Sequence, residues 1–215
     1  PFGRSGNLSV DMPTLEEYYR RHASPWELQA LIKLRLIAPP EELAREFAER
    51  IRPLIISDRS AADIVEAVLK NREEAIKMNR DVKRGLREIK NGPGGIRDIE
   101  FLLQALQLIH APAGDEILTA SSLDALERLQ RRGVLSPLDR HALESAYRLL
   151  RRTEHFLQLF DDRQVHSLPR EPEKLAILAN RCAKLPGDEF TALIDTETRR
   201  VLRIRDEYFS RYRGL

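Results

Sequence analysis

The sequence predicts an all-α protein, a multi-helix bundle with a short N-terminal stretch of α/β character. Three observations point there: helix start signals recur along the chain, apolar residues repeat at helical spacing, and period-two alternation is scarce. Only Asn7-Leu8-Ser9-Val10 alternates as a strand does, and it reads as the end of a sheet whose remainder lies upstream.

The helical elements follow in order. Thr14 with Glu17 three residues later predicts a capping box and a first helix. Ser24-Pro25 sets a cap residue before a proline at the first helical position, and Pro39-Pro40 should break that helix and launch the next. Ile64, Val65, Val68, Leu69 and Ile76 mark an amphipathic helix. Ser136-Pro137 repeats the cap-then-proline signature ahead of a run to about Asp162, with an expected core stripe of Leu138, Ala142, Ala146, Leu149, Phe156 and Phe160. Within it Glu144 and Arg148 stand four apart, a surface pair. A last helix, from about Asp188, carries Phe190, Leu193, Ile194, Val201, Ile204 and Phe209. Two loops separate these elements, at 90–95 and 166–172.

Bulk properties narrow the function. The 215 residues suffice for one large domain or two small ones, and 42% hydrophobic with 33% charged residues is a globular composition. Thirty-six basic against thirty-four acidic residues leave a net charge of +2, without the concentrated basic patch of a nucleic-acid binder. No stretch approaches the roughly 18 to 20 apolar residues that a membrane-crossing helix needs. The single Cys182 rules out an intramolecular disulfide, fits a cytoplasmic setting and reads as packing. The opening Pro1-Phe2-Gly3-Arg4-Ser5-Gly6, without an initiator Met, looks cut from something longer.

One stretch looks like chemistry. Lys90-Asn91-Gly92-Pro93-Gly94-Gly95 runs directly into a helix from Ile96. On that helix Ile99, Leu102, Leu103, Leu106 and Ile109 share a broad apolar face widened by Phe101 and Leu108, while Arg97, Glu100, Gln104 and Gln107 form a narrow polar strip. Such a strip suits the wall of a polar cleft. A glycine-rich helix start can bind an anion through free amides and the helix dipole, and Lys90 would add a mobile cation. On spacing alone, a tight turn without a ligand is the favoured reading, since this is neither a Walker loop nor a dinucleotide fingerprint. Asp98 falls away from the strip and reads better as a first-turn carboxylate than as a metal or nucleotide ligand. Lys33 and Arg35 after Trp26-Glu27 read as solvated cations. Asp161-Asp162 with His166 resembles a metal cluster only on paper, and His22, His110, His141 and His155 lack zinc spacing.

Four ordered motifs then carry a resemblance. Pro1 to Gly6 resembles the tail of "RLRPxGxSG" in glutamine synthetase adenylyltransferases. Tyr18-Tyr19 with the segment Trp26 to Arg35 is similar to that family's "YY…WExxALxKAR". Gly92 to Phe101 with Gln107-Leu108 resembles "GxGGIRDIEF…LQL", and Asp161, Gln164, His166, Leu168 and Pro169 resemble "DxQTHxLP", with Val165 where Thr is usual. The resemblance implies part of a bifunctional nucleotidyltransferase that adenylylates glutamine synthetase on a tyrosine and removes the AMP by phosphorolysis. Residues 1–12 would end a nucleotidyltransferase domain and 13–215 would form the following helical domain. Pro1-Phe2-Gly3 and the Arg97 position resemble the N-terminal, AMP-removing half more than the C-terminal half.

In such an enzyme magnesium would be held by carboxylates upstream of Pro1, ATP or ADP would be substrate or product, and the partners would be glutamine synthetase and a PII signal protein. The piece alone would then be inactive. The resemblance turns the glycine loop toward the phosphate-facing reading. It implies nucleotide or phosphate contacts from Arg4, Ser5, Lys33, Arg35, Lys90, Gly94, Gly95 and Arg97, with Glu27, Asp98 and Glu100 as supporting polar residues. Two alternatives stay open: a non-catalytic helical module that binds glutamine synthetase or a PII protein, and a piece of a PII uridylyltransferase, which shares a similar "PGGLRD" segment.

Overall fold

The computed structural model describes residues 6–213 except 8, 35, 57, 58, 84, 114 and 162–164. Among the described residues there are eleven α-helices and no β-strand. They are α1 (Met12–Arg21), α2 (Pro25–Leu31), α3 (Glu41–Arg50), α4 (Arg52–Ile55), α5 (Ala61–Met78), α6 (Arg80–Lys83), α7 (Ile96–His110), α8 (Ser122–Arg131), α9 (Pro137–Asp161), α10 (Pro172–Ala183) and α11 (Gly187–Arg213).

Local chemistry explains where these helices start. Ser24 caps α2 in a capping box closed by Glu27, whose Oε2 accepts the Ser24 amide at 2.8 Å. Ser60, Ser121 and Ser136 accept from the amides of Asp63, Asp124 and Asp139 at the starts of α5, α8 and α9. The first helix starts earlier than Thr14: Asp11 is its cap, accepting the Thr14 amide at 3.0 Å, with Pro13 in the first turn. The second ends at Leu31, well before the Pro39-Pro40 pair expected to break it, because the chain tightens there into i→i+3 bonds through Ile32, Lys33 and Leu34. The strand expected at 7–10 is not present at Asn7, Ser9 or Val10, which pair with no neighbouring strand; Leu8 lies outside the described residues.

α7 is the axis of the bundle. It packs against α2, α5, α8, α9 and α11, and Ile96, Ile99, Leu102, Ala105 and Leu106 have no exposed surface. α5 presents Ile64, Val65 and Val68 to this core, and α11 presents Phe190, Ile194, Val201, Ile204, Tyr208 and Phe209. The stripe expected on α9 is out of phase. Leu138 is 83% exposed, and the buried line is Leu143, Ala146, Leu150, Thr153, Glu154 and Leu157. Ala142, Leu149 and Phe156 only flank that line, because α9 is wedged between α7, α8, α10 and α11 and has apolar residues on more than one side. No helix among the described residues is long and apolar enough to cross a membrane.

Candidate functional site

The turn before α7 is held from within. Segments 87–89 and 166–168 pair through a single β-bridge, with the Ile89 amide on His166 O and the Leu168 amide on Arg87 O, both at 2.9 Å. Glu88 folds its carboxylate over the turn and accepts the amides of Lys90 and Asn91 at 2.8 and 2.7 Å. Asp98 reaches back to accept the Gly94 amide at 2.7 Å, while the amides of Gly92, Gly95, Ile96, Arg97 and Asp98 donate to backbone carbonyls at 2.9–3.0 Å. Every amide from Lys90 to Asp98, proline aside, is therefore engaged.

The glycines answer to packing. Gly94 has φ +72°, and a Cβ there would lie 2.0 Å from Thr198 O on α11. A Cβ on Gly95 would lie 2.6 Å from Ile89 O. The anion contact expected of the Gly94 and Gly95 amides thus has no free donor behind it. Side chains, not the turn's backbone, are left to meet an anion.

Those side chains converge beside the turn. Lys33, Lys90, Arg97, Glu100 and Gln104 line one open cleft of about 530 Å³ together with Ser121, Ser122, Tyr147 and Arg151. Buried Glu100 accepts from Arg151 Nη2 at 2.7 Å, and Arg97 Nη1 lies 3.5 Å from its other oxygen. Buried Glu154 accepts from Arg151 Nη1 at 2.7 Å and pairs with Lys90 Nζ at 3.2 Å. Burial would raise the Glu154 pKa, but Arg151 and Lys90 outweigh it and hold the carboxyl below its ordinary value. Lys33 Nζ donates to Ala120 O at 2.7 Å and Ser122 Oγ at 3.1 Å. Desolvation lowers its pKa; Glu100 opposes this, and Arg151 and Arg97 add to it. Four cations thus line the cleft with one carboxylate, Glu100, and Glu154 pairs with two of them from outside the lining, which leaves positive charge in excess.

The remaining expected residues lie elsewhere. Glu27 is spent on the cap of α2, where it also accepts from the Tyr18 hydroxyl at 2.5 Å. Asp98 is wholly buried on the far side of α7, bound by Arg72 and Arg205. Gln107 accepts the Thr119 amide at 2.7 Å, which fixes the chain between α7 and α8. Arg4, Ser5, Arg35 and Asp162 lie outside the described residues. His166 stands beside Glu154, with Nδ1 3.4 Å from Oε1. Sequence reasoning passed over Arg151 and Tyr147; their signal is the i, i+4, i+7 spacing of Tyr147, Arg151 and Glu154 along one flank of α9. Among the described residues no three His, Cys, Asp or Glu side chains cluster as metal ligands, so the donor set here does not fit magnesium and no step runs through it.

The fold and cleft define a helical domain with a cation-walled pocket suited to phosphate-type anions. The family described as GlnD PII-uridylyltransferase matches residues 63–209, and that described as glutamate-ammonia ligase adenylyltransferase matches residues 1–50. The bifunctional glutamine synthetase adenylyltransferase/adenylyl-removing enzyme of Streptomyces coelicolor is 35% identical over 98% of this chain and 21% of its own length. The enzymes of the same name from Streptomyces avermitilis and Thioalkalivibrio sulfidiphilus are 36% and 34% identical, over 90% and 100% of this chain and 19% and 22% of their own lengths. This chain belongs to the glutamine synthetase adenylyltransferase/adenylyl-removing enzyme family, which is related to the PII-uridylyltransferases. It spans about a fifth of the length of the curated relatives it matches.

Proposed function

We propose that the cleft between α7 and α9 holds phosphate groups during adenylyl transfer in a bifunctional enzyme acting on a tyrosine of glutamine synthetase. The observation that carries this is the convergence of Lys33, Lys90, Arg97 and Arg151 on one cleft. Phosphoryl and nucleotidyl transfer rest on positioning and on neutralising charge, which fixed cations in a partly dry site supply. Arg151 is clamped between Glu100 and Glu154, and Lys90 is steadied by Glu154, so both charges are placed before an anion arrives.

Residues 1–12 form the end of a nucleotidyltransferase domain and 13–215 the helical domain in this reading. It is supported by the first helix beginning at Met12. ATP or ADP is the nucleotide, magnesium is held by other parts of the enzyme, glutamine synthetase and a PII signal protein are the partners, and the setting is cytoplasmic.

Calorimetric titration of the chain with tripolyphosphate tests the cleft. The expected result is saturable binding that Lys90→Ala and Arg151→Ala each weaken about ten- to hundred-fold, the loss of one charge-assisted contact. Unchanged affinity in both variants, with intact helical content, would sink the reading.

A further inference from the structure

A second cavity adjoins the cation cleft, and its chemistry differs. It measures about 440 Å³, shares Lys33, Arg97 and Gln104 with the first, and adds Trp26, Ala30, Arg72, Asn71, Asn91 and Phe101. Trp26 stands 54% exposed on α2, the aromatic member of the exposed large apolar side chains among the described residues. Phe101, on α7, lines the same cavity and is capped by the Arg97 guanidinium at 5.9 Å from the ring centroid. An indole left in water beside a charged cleft gains by meeting a flat, polarisable partner.

The polar part of the cavity narrows the choice of partner. Arg72 is only 3% exposed; its Nε and Nη2 are committed to Asp98 and Gly92 O, and its buried Nη1 has no hydrogen-bond partner. That nitrogen is itself sealed from the cavity, so Arg72 shapes the wall and the hydrogen bonding falls to the asparagines. Asn71 and Asn91 add amides that can donate and accept.

Resting on the phosphate reading of the neighbouring cleft, we infer that this cavity is a nucleobase subsite. The base stacks on Trp26, its ring nitrogens and exocyclic groups face Asn71 and Asn91, and its phosphates extend past Arg97 into the cation cleft. A base fits this lining better than a tyrosyl ring does, because a phenol offers one oxygen to a wall with several donors.

Trp26 is the sole tryptophan of the chain, so its fluorescence reports this cavity alone. ATP, AMP and tripolyphosphate are titrated in turn, by fluorescence and by calorimetry. The expected result is saturable quenching by ATP and AMP, none by bound tripolyphosphate, and tighter binding of ATP than of tripolyphosphate. Trp26→Leu should weaken ATP roughly ten-fold, the usual loss when a stacking aromatic is removed, and leave tripolyphosphate unaffected. Equal affinity for ATP and tripolyphosphate with a silent Trp26 would overturn the base subsite while the phosphate cleft stands. Binding of neither ligand would remove both.

Discussion

Arg72 of α5 meets Asp98 of α7 through two hydrogen bonds of 3.0 and 2.9 Å, and Arg205 of α11 closes on the same carboxylate at 2.6 Å. Asp98 also holds the Gly94 amide, so one buried carboxylate joins three helices and the turn. Asp98→Asn would keep the shape, leave buried Arg72 without its counter-charge and leave Arg205 with Asp206 alone. Breaking a buried pair in this way costs about 3–5 kcal/mol. Urea denaturation should show that loss; a variant as stable as the parent would refute the structural role of Asp98.

Gly94→Ala tests whether the glycine turn serves packing. The new Cβ would sit 2.0 Å from Thr198 O at a φ of +72°, so α11 must move. Overpacking of this kind costs about 1–3 kcal/mol, and the left-handed backbone adds ~1 kcal/mol. Thermal stability should fall while tripolyphosphate affinity per folded molecule holds. Preserved stability with lost affinity would return the turn to direct ligand contact.

Arg97 is half-exposed at the mouth of the cleft, tied loosely to Glu100 at 3.5 Å. The resemblance to the AMP-removing half predicts a split in the intact enzyme. Arg97→Ala should slow deadenylylation about ten- to hundred-fold, with adenylylation little changed. The reverse pattern would place this domain in the other half.

His166 gives the fold a pH dependence. Burial chiefly, and the charge of Lys90 next, lower its pKa from the ordinary 6.5, against the pull of Glu154, Glu88 and Asp81. A histidine lowered on folding favours the native state fully above 6.5, and that contribution is lost as pH falls through the folded value. Stability measured at about pH 7.5 and again at about pH 5.5 should therefore decline. His166→Asn should flatten the decline; an unchanged slope would assign it to other groups.

Much of this protein is determined by its sequence alone, because the physics concerned is local. The Ser24-Pro25 and Ser136-Pro137 starts, the apolar face of α7 and its Arg97, Glu100 and Gln104 strip depend on residues within a turn or two of one another. The removal of Asp98 from that strip is likewise a matter of angle along one helix. Tertiary structure decided what these features face. Gly94 lies against Thr198, Lys90 against Glu154 and Arg151 against Glu100, and no spacing in the chain reports such distances. The phase of α9 belongs to the same class: with apolar residues on several sides, its buried line was set by which helices closed around it. A helical period fixes the direction of a side chain relative to its own axis, and only packing fixes where that axis points.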